Sequence, residues 1–89
     1  MIERELIVGN RLGLHARATA RLVQVLSAFR SSATLSAKGR EVNAKSIMGV
    51  MLLAAGQGTP VKLRVDGEDE AVAADAVTAL FERRFDEDQ

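Results

Sequence analysis

The sequence predicts an α+β fold: an open-faced sandwich of order β-α-β-β-α-β-α, in which a four-stranded antiparallel sheet carries three helices on one face. Three observations lead there. Apolar residues share one strand parity in Ile2-Leu6-Val8, Ala33-Leu35-Ala37 and Val61-Leu63-Val65. They recur at helical spacing in two longer stretches, and Lys38-Gly39 offers a tight turn between short strands.

In the first strand Ile2, Leu6 and Val8 face one way, Arg4 interrupts them and Ile7 faces the other way, until Gly9-Asn10-Arg11 breaks the run. From Ala16 the spacing turns helical, with Ala16, Ala20, Val23 and Ser27 along a stripe and Leu22, Leu26 and Phe29 beside it; the helix is expected to end near Ala28. Ala33, Leu35 and Ala37 then alternate with Thr34 and Ser36, and Arg40, Glu41, Val42 and Asn43 return beyond the turn as a hairpin. The run from Ser46 to Ala55 is too apolar for periodicity to decide. Ser46 as a cap and Gly56 as a stop make it a short helix, against which Gly49 counts.

After Gly58-Thr59-Pro60, Val61, Leu63 and Val65 alternate with Lys62 and Arg64 as in a half-exposed strand, closed by Asp66-Gly67. Glu68, Asp69 and Glu70 load the first turn of a final helix with negative charge, and Arg83 and Arg84 load its last turn with positive charge. Val72, Ala76, Ala79 and Phe81 are expected on its apolar side, and Asp86-Glu87-Asp88 reads as a solvated acidic tail, about 86–89. Composition does not break along the chain, so 1–89 is expected to form a single domain.

Composition narrows the functional classes. With 47% apolar residues but only Phe29, Phe81 and Phe85 aromatic, the core must be built mostly from Ala, Val, Leu, Ile and Met. Twelve basic residues cancel 12 acidic ones, which removes the basic field of a dedicated nucleic-acid binder and points to proteins or small anions as partners. The strands also lack the stacking aromatics of an RNA reader. Without cysteine there is no disulfide framework or thiolate metal site, as suits a reducing compartment. No run is long enough to span a bilayer, and Met1-Ile2-Glu3-Arg4-Glu5 lacks an export core, so no membrane insertion and a cytoplasmic location are expected.

The chemistry gathers at the single histidine, His15, within Gly13-Leu14-His15-Ala16-Arg17. Its imidazole can act as a nucleophile near neutrality through a ring nitrogen. At a helix start it meets backbone N–H groups without intrahelical acceptors and the positive end of the helix dipole, a setting suited to a phosphoryl group. The helix start at Ala16, Arg17 and Ala18 supplies those amides, and the Arg17 guanidinium can pair with phosphoryl oxygens. His15 thus reads as a transient phosphate acceptor. Taken alone, a histidine beside a helix is more often a surface residue or a cap, and no partner base for it is visible in the sequence.

With order and motif together, the chain resembles the HPr family, the histidine phosphocarriers of the phosphoenolpyruvate-dependent phosphotransferase system. Against the family pattern Gly-Leu-His-Ala-Arg-Pro-Ala this sequence gives Gly13-Leu14-His15-Ala16-Arg17-Ala18-Thr19, and a second pattern around a regulatory serine is matched by Asn43-Ala44-Lys45-Ser46-Ile47-Met48-Gly49-Val50-Met51. Ala18 stands where the family commonly has proline; it adds a backbone donor and removes some rigidity from the entry turn.

The resemblance implies a carrier rather than an enzyme, with no cofactor and no metal. His15 would accept a phosphoryl group on Nδ1 from phosphorylated enzyme I and pass it to enzyme IIA domains. Ser46, otherwise simply an N-cap, would be the target of an ATP-dependent HPr kinase/phosphorylase. Ile47, Met48 and Met51 would form an apolar docking patch beside His15, ringed by Arg17, Arg21, Lys45 and Arg11, although some of the apolar residues could equally be core. A monomer is expected. Two alternatives stay open: a ferredoxin-like ligand-sensing regulatory domain, and a purely regulatory, nitrogen-related carrier within the same family.

Overall fold

Each alternating stretch buries one parity and leaves the other to solvent, and that is what builds the sheet. In the computed structural model, which describes residues 1–87, the strands are β1 (Ile2–Ile7), β2 (Ser32–Ala37), β3 (Arg40–Asn43) and β4 (Pro60–Asp66). They form one antiparallel sheet in the order β1-β4-β2-β3. Leu35 lies opposite Leu63 on one side and Val42 on the other, so core residues line up across neighbouring strands. Between β2 and β3, Lys38 and Gly39 both have positive φ, 55° and 78°, the geometry of a tight hairpin turn.

The helices α1 (Ala16–Ser27), α2 (Ile47–Leu52) and α3 (Glu70–Glu82) complete the expected order. The expected fold class holds. Leu6, Ala33, Leu35, Ala37, Val61, Leu63 and Val65 from the sheet share one core with Leu22, Leu26, Val77, Leu80 and Phe81 from the long helices. Arg4, at a core-facing parity, is accommodated because its stem runs under α3 while its guanidinium reaches Thr78 Oγ1 at 3.1 Å and Asp75 at 2.8 Å.

Several details depart from the sequence expectation. The buried face of α1 is Ala18, Thr19, Leu22 and Leu26, whereas Ala16, Ala20 and Ser27 are exposed. Thr19 can be fully buried because its hydroxyl donates to the Leu14 carbonyl. In α3, Val72 is exposed and Ala73, Ala74, Val77, Leu80 and Phe81 are buried. Helix α2 stops at Leu52, short of Gly56. Lys38 Nζ on the Ala54 carbonyl and an Arg40 N–H on the Leu52 carbonyl satisfy that end.

The largest correction concerns the acidic end. Beyond α3 the chain makes a single turn, Arg84–Asp86, in which φ is 55°, 58° and 61° at three successive non-glycine residues. L-residues adopt this left-handed region at a cost, so the surroundings must impose it. Phe85 is fully buried against Phe81 with ring centroids 4.8 Å apart, and Arg21 donates to the Phe85 carbonyl at 2.7 Å. Asp86 pairs with Arg83 and Arg21, and Glu87 is folded back into the molecule. Glu87 is therefore not part of a solvated tail, and Asp86, though exposed, is held by two arginines; residues 88 and 89 lie outside the described part.

Candidate functional site

Three segments distant in sequence meet at the start of α1: the loop 9–15, the backbone at Ala55 and Gly56 after α2, and the turn after α3. The first is the loop 9–15. Gly13 has φ +69°, and a Cβ there would lie 2.5 Å from the Ala55 carbonyl oxygen, so only glycine permits the approach of these two backbones. Leu14 N–H donates to that same carbonyl at 2.9 Å. This backbone clamp delivers His15 to the N-cap position of α1 in an extended conformation.

His15 caps the helix with its ring. Arg17 N–H and Ala18 N–H donate to Nδ1 at 3.0 and 3.3 Å, and the His15 carbonyl accepts from Thr19 N–H as the first bond of the helix. Accepting from backbone donors makes Nδ1 the lone-pair nitrogen and leaves the ring proton to Nε2. Nδ1, the helix dipole and the Arg17 and Ala18 amides thus converge at one point.

The third segment is the turn after α3. Glu87 Oε2 lies 2.8 Å from His15 Nε2, with the glutamate side chain only 13% exposed and the imidazole 25%. The two atoms are shielded from solvent at ion-pair distance, without the alignment of a strong hydrogen bond. The other carboxylate oxygen accepts from Asn10 Nδ2 at 3.0 Å, and Asn10, fully buried, also donates to the Gly13 carbonyl. The Asn10 bond, then the facing His15 and Arg17, hold the Glu87 carboxyl below the usual glutamate range. It is ionised at neutral pH.

Around the ring opens a cleft of about 640 Å³, lined by Arg11, Leu12, His15, Arg17, Arg21, Asp86 and Glu87. Three arginines make it a place for an anion. Arg17 has no side-chain hydrogen bond or ion pair within the described residues, whereas Arg21 is engaged with the Phe85 carbonyl and Asp86. Among the described residues no group of histidine and carboxylate side chains is arranged to hold a metal ion.

Ser46 caps α2, its Oγ accepting from Gly49 N–H at 3.1 Å. Gly49 explains itself here: a Cβ would press to 3.3 Å from Ser46 Cβ and Oγ. Ile47, Met48 and Met51, together with Leu52, are exposed on α2, which packs against α1 and β3; none of them lines the cleft. Lys45 turns the other way, donating to the Phe29 carbonyl just past the end of α1. The candidate residues thus divide between a cationic cleft at His15 and an apolar face on α2. Reading the sequence missed Leu12, Asn10 and above all Glu87. The available signal for Glu87 was Phe85, a lone large aromatic just ahead of an acidic run in a chain with few aromatics.

Residues 2–83 match the family model described as the PTS HPr component phosphorylation site. The chain belongs to the HPr family, phosphocarrier proteins rather than catalysts. A phosphocarrier protein HPr of Xylella fastidiosa is 69% identical over 88 residues, covering 99% of both chains. The crystal structure of HPr-C-His from Thermoanaerobacter tengcongensis superposes with a TM-score of 0.96 at 43% identity over 100% of both chains. A phosphocarrier protein NPr of Proteus mirabilis is 40% identical, covering 96% of each. Family membership supersedes the ligand-sensing alternative. Among the described residues no helix is long and apolar enough to cross a membrane.

Proposed function

We propose that His15 is the phosphoryl relay of this carrier, charged on Nδ1 by phosphorylated enzyme I and discharged to a histidine of an enzyme IIA domain in the cytoplasm. The observation that carries the reading is the Nδ1 lone pair held by Arg17 N–H and Ala18 N–H at the lip of the arginine-lined cleft. For transfer, Nδ1 swings off the two amides and its lone pair forms the new N–P bond. The P–N bond of the donor breaks and its electron pair returns to the donor ring. The amides that Nδ1 leaves are then free to donate to phosphoryl oxygens, and Arg17 neutralises the remaining charge. The pocket exchanges one acceptor for another, so it orients the group without needing a new site to form.

Incubation with enzyme I and phosphoenolpyruvate should place one acid-labile phosphoryl group on His15, removable by an added enzyme IIA domain. His15→Ala should abolish it. Equal labelling of the alanine variant overturns the assignment.

Ser46 fits a regulatory role for an ATP-dependent HPr kinase/phosphorylase. A phosphate on Oγ stays at a helix start, where Gly49 N–H can donate to it, so α2 is kept while its exposed apolar face, Ile47, Met48 and Met51, acquires nearly two negative charges beside it. Ser46→Asp should slow transfer from enzyme I, seen as a raised KM with kcat kept; an unchanged KM removes this part of the proposal. A nitrogen-related regulatory role is the second reading, favoured by the likeness to the NPr protein. Profiling which enzyme IIA domain accepts the group from the phosphorylated protein separates it from sugar uptake. We take the working form to be a monomer with 1–89 as one domain.

A further inference from the structure

We propose that Glu87 is a positioning residue for the phosphoryl relay, anchoring the His15 ring through Nε2 and stabilising the positive charge that the ring acquires when Nδ1 is phosphorylated. The inference rests on the carrier reading for its chemistry and on the geometry alone for the anchor. The geometry is specific. One carboxylate oxygen is 2.8 Å from Nε2, the other is tied to Asn10, and Asn10 is tied to the Gly13 carbonyl of the loop that carries His15.

Loop and acid are therefore tied to each other through Asn10. The acid arrives only because Arg84, Phe85 and Asp86 hold a left-handed turn, fixed by the buried Phe85 ring and by Arg21 on the Phe85 carbonyl. A solvated acidic run needs no such turn.

The electron bookkeeping gives the contact a role. When the Nδ1 lone pair forms the bond to phosphorus, the ring carries a positive charge shared with Nε2–H. Its proton stays on Nε2, and the carboxylate beside that nitrogen faces the charge directly. The incoming phosphoryl group binds at the other ring nitrogen, farther from Glu87 than Nε2 is, and the Arg17 charge that already acts on Glu87 offsets repulsion between the carboxylate and the phosphoryl oxygens. Discharge starts from that same cation and returns the N–P electron pair to Nδ1, so the contact favours charging of the ring, and charging is the direction to test. The imperfect alignment in the resting state suits a contact that tightens as charge develops.

The test compares wild type, Glu87→Gln and Glu87→Ala, using enzyme I with phosphoenolpyruvate as donor and the ring N–H resonance of His15 in the unphosphorylated protein. Glu87→Gln keeps shape and removes charge: kcat of enzyme I with this variant as substrate should fall roughly tenfold with KM within about twofold, since Glu87 lies off the apolar face of α2. Glu87→Ala should also lose the protected Nε2–H signal to exchange with water. A merely structural Glu87 would lower stability without moving either quantity. A Gln variant with wild-type kcat overturns the proposal. If wild type itself takes no phosphate, the carrier reading falls instead and the ring signal decides alone: the same signal in wild type and Glu87→Ala overturns the anchor, and its loss in Ala supports it.

Discussion

The starts of α1 and α3 are both tied to a distant loop, but by opposite means. At α3, Asp69 occupies the N-cap position and makes no side-chain bond to its own helix. Its carboxylate accepts instead from Arg30 N–H at 2.9 Å, Ser31 N–H at 3.0 Å and the Ser31 hydroxyl, clamping the α1–β2 connection. At α1 the clamp is made by backbone, Gly13 against Ala55, and the side chain of the cap turns to its own helix, accepting from Arg17 N–H and Ala18 N–H. A cap side chain can thus serve a distant loop or its own helix. The loop before His15 carries a glycine that lets backbone do the tying and leaves the ring to its helix.

Replacing the backbone clamp should have the largest effect. Gly13→Ala adds a Cβ where φ is +69° and where the Ala55 oxygen is 2.5 Å and the Gly56 Cα 2.7 Å away, both main-chain atoms that cannot rotate aside. The left-handed cost and the forced separation together should lower stability by about 3 kcal/mol, read from the urea midpoint at constant m. Transfer to His15 should fall too, because the separation displaces Leu14 and the cap. A variant within about 1 kcal/mol of wild type would mean that the loop is held elsewhere and that the contrast with Asp69 is wrong.

The side-chain clamp should give a smaller, pH-dependent effect. The Ser31 hydroxyl, then Arg30 N–H, lower the Asp69 pKa to about 2 from an ordinary 3.8. A carboxylate lowered on folding contributes stability that is fully present above its unfolded value and is lost as pH falls through its folded value. Wild type and Asp69→Asn should therefore differ most near neutral pH and converge as pH falls from about 4 to about 2, in thermal unfolding across that range. A gap independent of pH would assign the contribution of Asp69 to shape rather than charge. Phosphoryl transfer at His15 should be untouched, since the two clamps share no residue.

The same contrast explains what could be read from the sequence. Strand parities were legible because a sheet with one covered face forces strict alternation, as in Val61-Leu63-Val65, and the Lys38-Gly39 turn follows from its residue types. The α1 face was misread because alanine is nearly indifferent to burial: Ala18 is fully buried while Ala16 and Ala20 are exposed, and buried Thr19 depends on a carbonyl found only in the fold. His15, Arg17 and Ser46 were legible as local motifs at helix starts. Glu87 was not, because its place depends on three left-handed residues that no local propensity favours and on a ring buried from the far side.

The smallest effect expected is at Ala18, and it tests how much the start of α1 depends on that amide. Proline at this position deletes the N–H that reaches Nδ1 at 3.3 Å and keeps the shorter bond from Arg17 at 3.0 Å. Ala18 lies in the first turn, where the helix asks nothing of that N–H, so the helix itself loses no bond. Against this, proline disfavours helical backbone at Arg17, and its ring must fit where Ala18 is fully buried. Ala18→Pro should then change stability by less than about 1 kcal/mol and the transfer rate by less than about threefold, because Arg17 N–H and the Glu87 contact still hold the two sides of the imidazole. A tenfold loss of rate in a stably folded variant would show that the Ala18 amide is itself needed by the phosphoryl group, and the extra donor in this chain would count as part of its pocket rather than as a tolerated departure.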